Sequence, residues 1–274
     1  MDIASSSRFG LADLGPPVDG VGSLDGLEQD DPETVLSLMQ QRRLHHVPIL
    51  DAAWRVVGLK VIDDLLVPPQ RTNTVVLMAG GLGSRLRPLT DDCPKPLLRV
   101  GPSPILETII EAFVQSGFKK FFISVNYRAD MIENHFGDGN RWGASIAYLR
   151  EEQRLGTAGA LSLLPERPTE PLLVMNADLL TQLNFRHLLD FHTSQGAMAT
   201  MCVREYEMQV PYGVIETRSH RILDIREKPT ERYLVNGGVY VLEPEALDLI
   251  PRDRTFDMPE LFRTLIGRGE ETAV

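Results

Sequence analysis

Residues 75–90 read Val75-Val76-Leu77-Met78-Ala79-Gly80-Gly81-Leu82-Gly83-Ser84-Arg85-Leu86-Arg87-Pro88-Leu89-Thr90, and Pro94-Lys95-Pro96-Leu97 follows shortly after. An apolar run of strand length that empties into three glycines constrains the chain strongly. The run calls for burial, and the glycines let backbone N–H groups approach an anion because no Cβ intervenes. Successive N–H groups in such a loop form a concave nest for phosphate oxygens. Arg85, Arg87 and Lys95 add full positive charges, and a guanidinium fork takes two phosphate oxygens at once. The stretch reads as a triphosphate cradle rather than a turn with solvated arginines. Ala79, Gly80, Gly81, Gly83 and Ser84 are its nucleotide-binding positions, and Arg85 and Lys95 its catalytic cations.

Two other phosphate loops are excluded. The G-x-x-x-x-G-K-[ST] loop needs a lysine directly after its last glycine, and none stands there. The dinucleotide fingerprint needs a third glycine or alanine where Leu86 stands, and Pro88 argues against a long helix opening behind the loop.

From residue 73 onward strand-like and helical patterns alternate. Strands are predicted over 74–79, 121–125, 145–149, 172–176, 199–203, 213–216 and 233–242. Helices are predicted over 105–116, 129–136, 158–163, 184–195 and 258–265. Such alternation predicts an α/β fold, a mostly parallel sheet with helices on both faces. Ligands then bind beyond the carboxyl ends of the strands. The glycine loop, Asn126-Tyr127 and Asn176-Ala177-Asp178 each follow a strand at that rim. Asp178 ends a strongly apolar strand, where a carboxylate either holds Mg²⁺ against phosphate oxygens or serves as an ordinary turn aspartate.

Gly80-Gly81-Leu82-Gly83-Ser84-Arg85-Leu86 with Lys95-Pro96, Asn176-Ala177-Asp178, Glu227-Lys228-Pro229 and Asn236-Gly237-Gly238 occur in the order found in sugar-1-phosphate nucleotidyltransferases. Residues 72–274 resemble that family. The resemblance implies a Rossmann-like mixed sheet of the nucleotide-diphospho-sugar transferase type. It also implies transfer of a nucleoside monophosphate from an NTP to a sugar 1-phosphate, with Mg²⁺ on Asp178. The family's second metal aspartate falls beyond Val274, so the domain is expected to be truncated at its C-terminus. A non-catalytic regulatory or interaction homologue is the alternative.

By the same resemblance, the second glycine loop, Gln153-Arg154-Leu155-Gly156-Thr157-Ala158-Gly159, lies along the nucleobase through Gly156 and Thr157, and Gly159 offers its backbone to base or sugar. Its wording is closer to guanylyl-transferring members. Glu151, a pure acceptor when ionised, is expected to meet the two adjacent donors of guanine and so select GTP. Lys228 is expected on the sugar's phosphate and Glu227 and Asn236 on ring hydroxyls, with Tyr212, Gly213 and Gly237 completing the pocket. The sugar is a hexosamine, mannose or heptose 1-phosphate.

Ahead of this domain, residues 1–31 read as a loop or weakly ordered arm. Asp31 caps a helix that opens at Pro32 and runs to about Arg43. A strand over 47–50, a turn at Asp51-Ala52-Ala53, a strand over 55–60 and a short helix over 62–66 follow. This unit resembles one cystathionine-β-synthase-type (CBS) motif, a small α+β module. The motif implies a structural role or the pairing of two chains into a homo-oligomer. Pro68-Pro69 opens a stiff linker, so the domains are predicted at 1–70 and 71–274.

A formal net charge of −10 excludes a general nucleic-acid binder, which needs a cationic face. No apolar run reaches the ~20 residues of a membrane span, and the first residues lack the pattern of a signal peptide. Cys93 and Cys202 are too few for a disulfide framework or a cysteine metal cage, which points to a reducing cytoplasm.

Overall fold

Alternation within the apolar runs builds the centre of the molecule. In β3 (Arg71–Met78) Val75 and Leu77 face one core cluster and Val76 the other. In β8 (Leu172–Asn176) Leu173 and Met175 join the first cluster, and Leu172 and Val174 the second. Successive strand side chains point to opposite faces, so a strand covered on both sides must be apolar throughout. The computed structural model describes residues 32–50, 56–62 and 69–274. Its chain divides into two units after Pro69.

In the first unit, α1 (Pro32–Arg42) precedes an antiparallel pair, β1 (His46–Leu50) and β2 (Val56–Val61). Val35, Met39 and Val47 form its small core, with Ile62 against them. The helix and both strands fall where the sequence predicts them. The arm over 1–31, the turn at 51–53 and most of the helix over 62–66 lie outside the described residues.

The second unit holds a seven-stranded sheet in the order β13-β9-β12-β8-β3-β6-β7. Here β6 is Phe118–Val125, β7 Ser145–Arg150, β9 Ala199–Gln209, β12 Thr230–Leu242 and β13 Thr272–Ala273. Strands β8, β3, β6 and β7 run parallel, and β12 is antiparallel to both β8 and β9. The helix α2 (Ile105–Gln115), preceded by the two-residue pair β4 (Arg99–Val100) and β5 (Ser103–Pro104), packs into the first cluster. So do α3 (Ala129–Phe136) and α5 (Phe185–Gln195). The opposite face is covered by α4 (Gly156–Gly159) with the turn after it and by α6 (Met258–Arg268). This is the predicted α/β fold, a mostly parallel mixed sheet with helices on both faces.

The second unit departs from prediction at β9 and β12. They run on as an exposed two-stranded arm, paired from Gln209–Thr230 to Val203–Asn236, well beyond the core. The hairpin of β10 (Val214–Arg218) and β11 (Arg221–Arg226) stands beside that arm in sequence. Exposed strands carry no two-faced apolar signature, so pattern reading shortens or misses them.

Candidate functional site

The parallel strands β3, β6 and β8 end together. Their ladders continue one step into the loops: Ala79 N–H donates to Ser124 O at 3.0 Å and Ala177 N–H to Met78 O at 3.1 Å. This carries the glycine loop and Asp178 to one rim. A cavity of about 220 Å³ opens there, walled by the glycine loop, Lys95, Arg154 and Asp178.

The glycine loop is shaped by what surrounds it. A Cβ at Gly80 would lie 2.4 Å from Glu151 Oε1, whereas nothing stands within 4 Å of one at Gly81. Gly83 has φ +64°, a left-handed conformation that disfavours other residues, and its carbonyl accepts from Thr90 Oγ1 at 2.8 Å. Residues Ser84–Leu86 then form one 3₁₀ turn, with Arg85 at its middle position. Lys95 opens a second such turn, and its ammonium contacts the Asp178 carboxylate across the cavity. Both are about one-third exposed.

Three predicted positions hold the scaffold together. The half-buried Glu151 takes Ser124 Oγ–H on one oxygen and Leu155 N–H on the other, both at 2.9 Å. It therefore ties the first glycine loop to the second. Thr157 gives its N–H (2.8 Å) and its hydroxyl (3.1 Å) to Asp257 Oδ1. Gly159 is buried and gives its N–H to Phe256 O at 2.8 Å. Gly156, at φ +83°, sits so close to Asp257 and Phe256 that a Cβ would clash.

The predicted sugar-pocket residues fall into two groups. Asn236, Gly237 and Gly238 form a bulge in β12, where the register against β9 shifts between Asn236 and Tyr240. Asn236 Oδ1 accepts the Gly238 N–H, and its amide donates to the Tyr240 hydroxyl. Gly238 lies against Asn176 on β8, two residues before Asp178, and the buried Asn176 Oδ1 has no partner among the described residues. Gly237 packs on the Cys202 carbonyl, and burial pushes that thiol up to about 11, which makes it a poor nucleophile.

At the foot of the β10–β11 hairpin, Gly213 lies against the Glu227 carboxylate, with Tyr212 74% exposed beside it. Lys228 is exposed there at φ +46°, a strained conformation for a non-glycine residue. It does not line the cavity that holds Lys95 and Asp178. Sequence reasoning did not assign Arg154, whose position two residues before Gly156 was its only signal.

Among the described residues no cluster of three or more His, Cys, Asp or Glu side chains is arranged to hold a metal. Asp178 is the one carboxylate among the described residues that line the cavity. No helix of the described residues is long and apolar enough to cross a membrane.

Residues 74–271 match the family described as nucleotidyl transferase. A UTP–glucose-1-phosphate uridylyltransferase of Synechocystis is 33% identical over 71% of this chain and 55% of its own length. A mannose-1-phosphate guanyltransferase beta-A of Xenopus laevis is 35% identical over 71% of this chain and 56% of its own. The chain thus spans little more than half the length of these curated relatives. The crystal structure of HddC from Yersinia pseudotuberculosis complexed with GMP-PN shares the fold, with a TM-score of 0.55 at 22% identity. It covers 74% of this chain and 90% of its own.

Proposed function

The chain belongs to the nucleotidyl transferase family, and from that membership we propose that it transfers a nucleoside monophosphate from an NTP to a sugar 1-phosphate. The observation that carries the reading is the convergence of the glycine loop, Lys95 and Asp178 on one cavity at the carboxyl ends of β3 and β8. In the reaction a sugar-1-phosphate oxygen bonds to the α-phosphorus in line with the Pα–O bond that breaks, and pyrophosphate leaves.

The protein has little covalent work to do. Two anions that repel each other must be held in line, which is a task of positioning and charge neutralisation. The open N–H groups at Gly81 to Ser84 face the polyphosphate. Lys95 releases Asp178 to share its charge with phosphate, and Arg85, two positions after Gly83 in the sequence, is assigned as a further cation. Asp178 would hold Mg²⁺, which supplies neutralisation of the phosphate charge. Glu227 and Lys228 at the hairpin foot, and Asn236 and Gly237 at the bulge, line the approach for the sugar 1-phosphate.

GTP is the favoured nucleotide. This preference rests on the wording of residues 155–159 and on the guanyltransferase names among the relatives. It does not rest on Glu151, whose carboxylate joins the two glycine loops. The first unit is read as a single CBS-like module that brings two chains together, and the unpaired cysteines suit a reducing cytoplasm.

The test is pyrophosphate release on mixing the protein with Mg²⁺, one of GTP, UTP, dTTP, ATP or CTP, and glucosamine, mannose or heptose 1-phosphate. Release that needs both substrates, and fails in Lys95→Ala, supports transfer. Nucleotide binding without release in any combination favours a non-catalytic homologue.

A further inference from the structure

Lys95 spends its charge on Asp178, yet an NTP brings about four negative charges to the same cavity. The remaining cation whose side chain is seen to line that cavity is Arg154, on the wall formed by the second glycine loop. Among the described residues its guanidinium makes no hydrogen bond and no ion pair. The base of the side chain is held firmly. The Arg154 carbonyl accepts from Thr255 Oγ1 at 2.8 Å, and the neighbouring Leu155 donates its N–H to Glu151 and accepts from Phe256 N–H at 2.7 Å. A planar fork on a fixed base, without a carboxylate partner among the described residues and lining the same cavity as the glycine loop, suits phosphate oxygens better than an uncharged ring.

We propose that Arg154 is a further substrate-binding residue of this site, donating to the nucleotide's polyphosphate arm and to the departing pyrophosphate in the cavity it shares with the glycine loop. The proposal depends on the transferase reading for the identity of the nucleotide, but its test needs no turnover. Titrating inorganic pyrophosphate with Mg²⁺ into the wild-type protein and into Arg154→Ala should show affinity falling roughly tenfold or more, the effect of losing a charge-assisted hydrogen bond. Arg154→Lys, which keeps the charge but not the fork, should recover part of the loss, and guanosine should bind equally to all three proteins. Equal pyrophosphate affinity in wild type and Arg154→Ala would overturn the assignment. So would a loss confined to guanosine, which would make Arg154 a reader of the base. A wild-type protein that binds neither pyrophosphate nor GTP would overturn the transferase reading along with it.

Discussion

Gly80 and Glu151 occupy one space: the carboxylate oxygen lies 2.4 Å from where a Cβ on Gly80 would stand. That oxygen cannot swing away freely, because Ser124 holds it while Leu155 N–H holds its twin. Gly80→Ala should therefore cost about 1–3 kcal/mol, the range for overpacking a fitted site. Glu151→Ala should cost stability for a different reason, the loss of partners for Ser124 and Leu155. A double-mutant cycle read by denaturant unfolding should find the pair far from additive, since removing the carboxylate makes room for the methyl group. Additivity would mean that the two positions do not share that space.

Lys95 and Asp178 pair at the rim with both side chains about one-third exposed. Exposed pairs contribute about 0–1 kcal/mol, so Lys95→Ala should leave the melting temperature nearly unchanged. Its effect belongs to the reaction: a cation placed where charge develops is worth roughly 10²–10³ in rate. Steady-state pyrophosphate release beside a thermal melt separates the two. A variant that melts early and loses activity in proportion would assign Lys95 to the fold. Arg85→Ala should behave as Lys95→Ala does.

The sequence reveals elements whose pattern is dictated by burial on two faces, such as β3 and β8, and hides those set by contacts distant in sequence. Val75 to Leu77 could be read as a central strand because every residue is apolar. Nothing near Thr157 announces that Asp257, 100 residues later, takes its N–H and hydroxyl. Gly159 is expected by resemblance to offer its backbone to base or sugar, and nothing in the sequence announces that its missing side chain also leaves room for Leu155 and Phe256. Asn236 is expected on a ring hydroxyl, and the sequence is silent on its further part in securing the bulge through Gly238 and Tyr240. In the exposed arm of β9 and β12 the apolar Tyr206, Met208, Tyr233 and Leu234 all meet solvent, so no run of buried apolar residues marks its length.

The link between Thr157 and Asp257 is a clamp that works in both directions. Asp257 stands at the N-terminus of α6 but gives its carboxylate to Thr157 instead of its own helix, and Thr157 Oγ1 in turn accepts the Met258 N–H at 2.8 Å. Thr157→Val should remove both hydroxyl bonds and cost about 1 kcal/mol, comparable to losing a helix cap. Asp257→Ala should speed amide exchange at Thr157 without affecting the buried strands, and Asp257→Asn, which retains an acceptor, should restore protection. Unchanged exchange in Asp257→Ala would show that the loop is held by its other contacts, to Glu151, Thr255, Phe256 and Met258, without the Asp257 carboxylate.

His192 supplies a pH dependence far from this chemistry. Its fully buried ring meets Thr200 Oγ1 through Nδ1 at 2.8 Å and Glu243 Oε1 through Nε2 at 3.3 Å. Burial holds its pKa below the ordinary 6.5, and the nearby Glu243 carboxylate opposes that shift only in part. In the unfolded chain the ring takes up a proton near 6.5, so below that pH the unfolded state binds more protons than the folded one. The contribution is fully present above 6.5 and is lost as pH falls from there toward the depressed folded value. Unfolding free energies measured from pH 7.5 down to 5 should therefore decline in the wild type. His192→Gln, which cannot titrate, should start lower at pH 7.5, having lost the fitted ring, and decline less steeply. Parallel slopes for the two proteins would assign the acid sensitivity to carboxylates elsewhere and leave His192 as a neutral packing residue throughout.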